Sequence, residues 1–217
     1  MNDKNVKQIY VCGTGGLSGV VSNIIENSKE FKVSGYIDDQ KKAKHNKKNV
    51  FSVDKFLSTF DKANIVIAIG ENSIRKMLYE KLGNRKYKFP NIISNNIVIA
   101  STVKIGFGNI ILPNAVLNNG VKIQNFNILN SNSLVEHDCV IKSYSQISPG
   151  AVICGNCNIG KGAFVGANST VIQNINIGDW SIVGASSLVI RNIKSKTLNL
   201  GQPSSLKKNI EINYKVF

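Results

Sequence analysis

Histidine is scarce in this chain of 217 residues: there are two, His45 and His137. Any chemistry that needs imidazole therefore rests on one of two positions. Acidic residues are also few, 13 against 27 Lys and Arg, and the net charge is +14. A balance this basic invites a nucleic-acid reading. The densest basic run, Lys41-Lys42-Ala43-Lys44-His45-Asn46-Lys47-Lys48, has no interleaved aromatics for base stacking. Solvated lysines, or attraction of anionic small substrates, account for the charge, and no nucleic-acid partner is expected. No apolar run approaches the ~20 residues of a membrane span. The N-terminus MNDKNVKQIYVCGTGG lacks the long apolar core of a signal peptide, so a cytoplasmic protein is expected. Of four cysteines, Cys154 and Cys157 form a CxxC with no second ligand pair, and no metal site is expected.

What the chain has in abundance is a repeat of six. Stepping from Ile99 gives Ile105, Ile111, Leu117, Ile123, Leu129, Val135, Ile141, Ile147, Ile153, Ile159, Val165, Val171, Ile177, Val183 and Val189, every one a branched aliphatic. Four residues after each stands mostly a small side chain, such as Ala115, Cys139, Ser145 or Ala163, and glycine often follows directly, as at Gly160 and Gly166. Period six fits neither an amphipathic helix nor a plain strand. It fits a chain wound as a triangular prism, three hexads to a coil, the aliphatics stacked inside and glycines easing the corners. Sixteen hexads make about five coils, a prism ~24 Å tall at the usual strand spacing.

The preceding part reads as alternating strands and helices. Gln8–Cys12 is a buried strand, followed by the glycine loop Gly13-Thr14-Gly15-Gly16-Leu17-Ser18-Gly19 and an apolar helix. A second strand, Phe31–Ile37, ends at Asp38-Asp39. A third, Asn64–Ile69, ends at Gly70, and a helix follows near Ser73–Leu82. A glycine loop opening a helix suits a phosphate. The loop lacks the third glycine of the dinucleotide fingerprint and the unit is too short for a full dinucleotide fold, so a nicotinamide cofactor is not expected. The expected architecture is an α/β Rossmann-like half-domain over residues 1–93, then a β-helix with a C-terminal tail over 94–217.

In Val135-Glu136-His137-Asp138-Cys139, His137 follows an inward aliphatic by two and is expected at the outer surface beside two acids. Imidazole, with an ordinary pKa of ~6.5, suits a general base. His45, in the lysine-rich run, is expected to be solvated.

These features together resemble the hexapeptide-repeat acyltransferases, whose β-helix is left-handed. The stretch from Val135 to Val189 is similar to the sialic-acid O-acetyltransferase group. That group includes N-acetyltransferases for UDP-linked 4-amino sugars and for GDP-perosamine. The resemblance implies His137 as general base and Asp138 as the acid that supports it. It implies acetyl-CoA as the donor; no Ser-His-Asp set is evident in the chain, so direct transfer without an acyl-enzyme is expected. Gln146, in Ser145-Gln146-Ile147-Ser148-Pro149-Gly150, stands where relatives often carry a second histidine touching the acyl donor. Gly155, Ala167 and Ala185 fall at the donor-binding backbone positions. In the glycine loop the group's Gly-x-Gly-Gly-His-Gly-Lys becomes Gly13-Thr14-Gly15-Gly16-Leu17-Ser18-Gly19, with Asp38-Asp39 kept. The resemblance assigns Gly13, Gly15, Gly16, Leu17, Asp38, Asp39 and Gly70 to a UDP- or GDP-linked amino sugar. It implies a homotrimer acting in bacterial surface-glycan synthesis. The alternatives are a sugar O-acetyltransferase and a non-catalytic sugar-nucleotide-binding β-helix protein. His137-Asp138 separates them, because a scaffold needs no base there.

Overall fold

A computed structural model of the chain describes residues 6–39, 44–83 and 86–215. It divides into two compact units. One holds the described residues up to Gly70 together with Ile74–Ile92, the other Glu71–Ser73 and the chain from Ile93 onward.

The first unit is an α/β sheet. Its elements are β1 (Lys7–Cys12), α1 (Gly16–Ser28), β2 (Phe31–Ile37), β3 (Lys44–His45), β4 (Lys48–Phe51), α2 (Val53–Thr59), β5 (Ile65–Ile67) and α3 (Asn72–Leu82). The sheet order is β3-β4-β2-β1-β5, with β1 parallel to both β2 and β5. Ile9, Val11, Ile65 and Val66 are wholly buried, as a covered parallel sheet requires. The chain runs outward from β1 to β2 and β4, then returns to β5 on the other side of β1. The connections diverge at β1, and a ligand crevice opens at such a point, beyond the strands' C-terminal ends.

The short β3–β4 hairpin occupies part of the stretch expected to be a lysine-rich loop. His45 is consequently half-buried rather than freely solvated. Its ring stands edge-on to Tyr36 with centroids 4.6 Å apart, and its Nε2 is enclosed without a partner. Residues 40–43 of that run lie outside the described residues.

The second unit is a left-handed parallel β-helix built from two-residue strands. One face stacks Val98–Ile99, Val116–Leu117, Leu134–Val135, Val152–Ile153, Thr170–Val171 and Leu188–Val189. The next stacks Lys104–Ile105, Lys122–Ile123, Val140–Ile141, Asn158–Ile159 and Asn176–Ile177. The third runs from Ile92–Ile93 through Ile110–Ile111, Ile128–Leu129, Gln146–Ile147, Phe164–Val165 and Ile182–Val183. These are called the first, second and third faces below. Partners stand three hexads apart along the chain, and backbone hydrogen bonds such as Leu134 N to Ala151 O (2.9 Å) tie each coil to the next. The second residue of each pair points inward, and with the small side chains four residues on it makes one continuous core.

The corners are made differently from the expectation that glycine after the aliphatic supplies the freedom. The left-handed backbone falls three residues after the aliphatic, at Gly108, Asn114, Gly120, Phe126, Asn132, Asp138 and so on in steps of six to Ser186. Gly160 and Gly166, directly after the aliphatic, do not adopt it. They are glycine because a Cβ there would meet the backbone of the next coil, at 2.5 Å from Asp179 N and from Ala185 N respectively.

The ladder begins one hexad earlier than the sequence repeat suggests, at Ile93, and gains a shortened coil at the other end. Ile193 bridges Ile177 and Asn199 pairs with Val183, each partner falling two residues short of the full three hexads. Thr197–Leu200 then pairs antiparallel with Ser205–Asn209.

Candidate functional site

His137 and Asp138 occupy the corner between the first and second faces. Asp138 sits in the left-handed position (φ 60°), which Asp tolerates better than most residues. Its Oδ2 lies 3.0 Å from His137 Nδ1. A proton on Nδ1 donated to that carboxylate leaves Nε2 as the free basic nitrogen. The His137 side chain is 61% exposed, so the imidazole can be reached by an incoming group. Glu136, the other acid considered, makes no ion pair with the ring among the described residues; the pair is His137–Asp138.

Gly155 stacks one coil beyond His137. A Cβ on Gly155 would lie 2.6 Å from His137 Nε2 and 2.7 Å from Cε1. The glycine therefore leaves the space in which the imidazole lies.

The other three residues assigned to the acyl donor come together elsewhere. Gln146, Ala167 and Ala185 line one cavity of about 580 Å³ at the corner between the third and first faces. Its polar wall includes Ser148, and its apolar wall is Phe164, Ile182, Leu198, Leu200 and Tyr214. Gln146 Oε1 and Ser148 Oγ are buried without partners, so two polar atoms stand ready for a ligand in an otherwise mostly apolar groove. Neither His137 nor Gly155 lines it. Within one chain the base and the cavity stand at opposite edges of the first face. The apolar wall was readable in the sequence. The outward position of the hexad carries Phe164 and Ile182 on this face, where the second face carries Lys104, Lys122, Val140, Asn158 and Asn176.

In the first unit, Gly13, Gly15, Gly16, Leu17, Asp38 and Gly70 gather at the C-terminal ends of β1, β2 and β5. Gly13 (φ 109°) is required by the chain itself, because a Cβ would press on Ile69 Cδ1 at 2.7 Å and Ala68 O at 2.9 Å. Gly15, Gly16 and Gly70 have no positive φ, and a Cβ on any of them would meet nothing within 4 Å. The chain gives no steric reason for glycine at these three, and open space lies above the loop. Gly15 caps α1 with no side-chain hydrogen bond and no acid in the first turn, so the helix presents its N-terminal amides to that space. Thr14 Oγ1 donates to Asp38 Oδ2 at 2.7 Å and holds that carboxylate at the rim. Asp39 serves the fold instead, its Oδ1 accepting from Val53 N at 2.9 Å, at the start of α2. Sequence reading missed Arg75 on α3, only 1% exposed, whose Nη1 donates to the carbonyls of Ile69 (2.9 Å) and Gly70 (3.0 Å) and fixes that side of the loop.

The CxxC cysteines diverge. Cys157 is buried in the prism against Cys139, while Cys154 is partly exposed. Among the described residues no group of three His, Cys, Asp or Glu could hold a metal ion.

Residues 8–82 match the family described as PglD N-terminal domain. Over 106 residues the chain is 31% identical to UDP-N-acetylbacillosamine N-acetyltransferase of Bacillus subtilis (strain 168), a stretch that is 46% of this chain. The match spans 49% of that relative's length. The fold superposes with TM-score 0.87 on a mutant of GDP-perosamine N-acetyl transferase from Caulobacter crescentus in complex with CoA and GDP-perosamine. The identity is 25%, covering 93% of this chain and 97% of that one. The chain is thus similar to the PglD N-terminal domain over its first part and to sugar N-acetyltransferases in its overall fold. A second member of that fold, the acetyltransferase domain of PglB from Neisseria gonorrhoeae, superposes with TM-score 0.87 at 24% identity over 93% of this chain and all of that one. Leu17 of the glycine loop is half-buried in the first turn of α1.

Proposed function

We propose that the protein transfers the acetyl group of acetyl-CoA to the amino group of a nucleotide-linked sugar. The observation that carries this reading is the His137–Asp138 pair on the β-helix, with Nδ1 engaged by the carboxylate and the imidazole mostly exposed. The 580 Å³ groove with its partnerless Gln146 and Ser148 atoms suits a pantetheine arm, whose amides need a few polar contacts along an apolar wall. The glycine loop and Asp38 suit the diphosphate and hydroxyls of a UDP- or GDP-linked sugar.

In the reaction the sugar amine attacks the thioester carbonyl and His137 Nε2 takes the proton the amine sheds. The tetrahedral intermediate collapses, the C–S bond breaks, and the CoA thiolate recovers a proton from His137. The products are the N-acetyl sugar and free CoA. Gln146 can donate a hydrogen bond near the thioester, but it cannot titrate.

Base and groove lie at opposite edges of the first face, so a complete site needs a second copy. The outward residues of that face are Val98, Val116, Leu134, Val152, Thr170 and Leu188, an apolar stripe with one threonine. Packing three such faces around an axis sets the His137 corner of one chain against the groove of the next and shields the thioester from water. We read the protein as a homotrimer on this ground. No helix among the described residues is long and apolar enough to cross a membrane. Acetyl-CoA and nucleotide sugars as substrates place the work in the cytoplasm, ahead of surface-glycan assembly.

The test is turnover of acetyl-CoA with a panel of UDP- and GDP-linked sugars bearing either an amine or a hydroxyl at the accepting carbon. The expected result is acetylation of an amino sugar, with kcat lowered at least about a hundredfold in His137→Ala. Preference for the hydroxyl sugars, or full activity in His137→Ala, overturns the reading.

A further inference from the structure

The first unit carries a second concave site, at the end of the sheet opposite the glycine loop. It is a cavity of about 440 Å³ lined by Lys7, Lys62, Lys86 and Lys88 around Tyr10, Phe60 and Ala63, with Gln8 and Asn64 beside them. β1 enters it at Lys7 and runs five residues on to Cys12, where it leads into Gly13. At about 3.3 Å per residue the two ends are ~17 Å apart. This cavity therefore belongs neither to the sugar-nucleotide crevice nor to the groove on the β-helix.

Two of its lysines are held on fixed backbone. Lys7 N donates to Glu30 O (3.0 Å), and Lys88 both accepts from Ile65 N (2.9 Å) and donates to Ala63 O (2.8 Å). Their charges are mostly uncompensated. Lys7 reaches Glu30 at 3.3 Å, but Lys62, Lys86 and Lys88 make no ion pair among the described residues. The floor is different in character. Tyr10 and Phe60 lie with ring centroids 4.9 Å apart, and burial raises the Tyr10 hydroxyl above its ordinary pKa, so the floor stays neutral. A rim of ammonium groups above an aromatic floor selects a ligand with a phosphate at one end and a flat apolar body at the other.

We propose that this cavity binds a phosphorylated ligand carrying a planar ring, of the nucleoside monophosphate type, independently of the acetyl-transfer site. The cluster of like charges is destabilising when empty and is relieved when a dianion enters. The ring rests on Tyr10 and Phe60.

The experiment is a titration of the ¹⁵N-labelled full chain with AMP and, separately, with inorganic phosphate. AMP is expected to shift the amides of Ala63, Asn64 and Lys88 to saturation, at least about tenfold more tightly than phosphate. Binding should weaken as salt rises past the point where the Debye length falls below ~10 Å. The triple variant Lys62→Ala, Lys86→Ala, Lys88→Ala should lose at least about tenfold in AMP affinity while melting no lower than the parent in the absence of ligand. Shifts confined to Gly15 and Gly16 would place the nucleotide at the glycine loop alone. That result, equal affinity for phosphate and AMP, or undiminished binding in the triple variant would each overturn the proposal.

Discussion

Gly155→Ala tests the geometry of the base without touching its chemistry. The added methyl would lie 2.6 Å from His137 Nε2, 2.7 Å from Cε1 and 3.2 Å from Cδ2, where ordinary contact is 3.4–4 Å. The imidazole must therefore move by about 1 Å, since the methyl is fixed to a coil backbone hydrogen-bonded on both sides. His137 is mostly exposed, so the ring can swing outward at little cost, and Gly155 has no positive φ to strain. Stability should change by no more than ~0.5 kcal/mol, as for surface substitutions. Catalysis should suffer more, because a displacement of ~1 Å in a reacting group can cost ~10²-fold. Steady-state kinetics should show kcat reduced by about that factor with KM for acetyl-CoA changed less than about threefold. Thermal unfolding should match the parent. Parental kcat together with a parental melting temperature would mean that the position of the ring over Gly155 is not the one used in the reaction. A large fall in melting temperature would mean that the coil, not the ring, gives way.

Asp38→Ala should raise KM for the sugar nucleotide by about tenfold and leave KM for acetyl-CoA unchanged. Asp39→Ala should instead lower stability by ~1 kcal/mol, the typical worth of a helix N-terminal hydrogen bond, with KM little affected; kinetics and urea melts on the two variants separate the roles. Leu134→Glu, in the outward stripe of the first face, should yield a folded monomer with under about 1% of parental activity, read by sedimentation and circular dichroism. Burial first, then Asp38 and Asp39, push the Cys12 thiol up to about 12. At pH 8 the group is neutral as well as enclosed, so iodoacetamide should leave Cys12 unlabelled in the folded protein while labelling it after denaturation, as mass spectrometry can follow.

The prism was legible because its period is enforced by stacking. Each inward aliphatic sits on another three hexads away, so Ile99 to Val189 could not drift from the register. The pattern failed where that constraint relaxes. Between Val189 and Ile193 the coil loses two residues, and the stretch reaching Asn199 no longer falls on sixes. The positive-φ column was invisible because Asn, Gly, Phe, Tyr, Trp, Asp and Ser all occupy it, and no one residue type marks the turn. In the first unit β1, β2 and β5 declared themselves as apolar runs. The hairpin at Lys44–Phe51 did not, because its residues are half-buried or exposed and mostly polar. Among the candidate site residues, His137 was conspicuous as one of two imidazoles in the chain. That Gly155 makes room for it depends on the coil length, and that Asp39 serves α2 depends on a helix beginning at Val53. Neither relation exists until the chain is wound.

The shortened last coil has a consequence for what the molecule avoids. A stack of parallel two-residue strands offers each new coil the same edge it used itself, so nothing in the repeat prevents another chain from adding to its end and growing a fibre. Here the third face is closed by Ser205–Asn209, which runs the other way, is exposed along its whole length and carries Lys207 and Lys208. An incoming strand meets reversed polarity and two ammonium groups, an edge ill-suited to templating. The repeat that makes the prism easy to extend is thus terminated by a segment outside the repeat, and removing the chain beyond Leu200 should turn a discrete particle into an aggregating one.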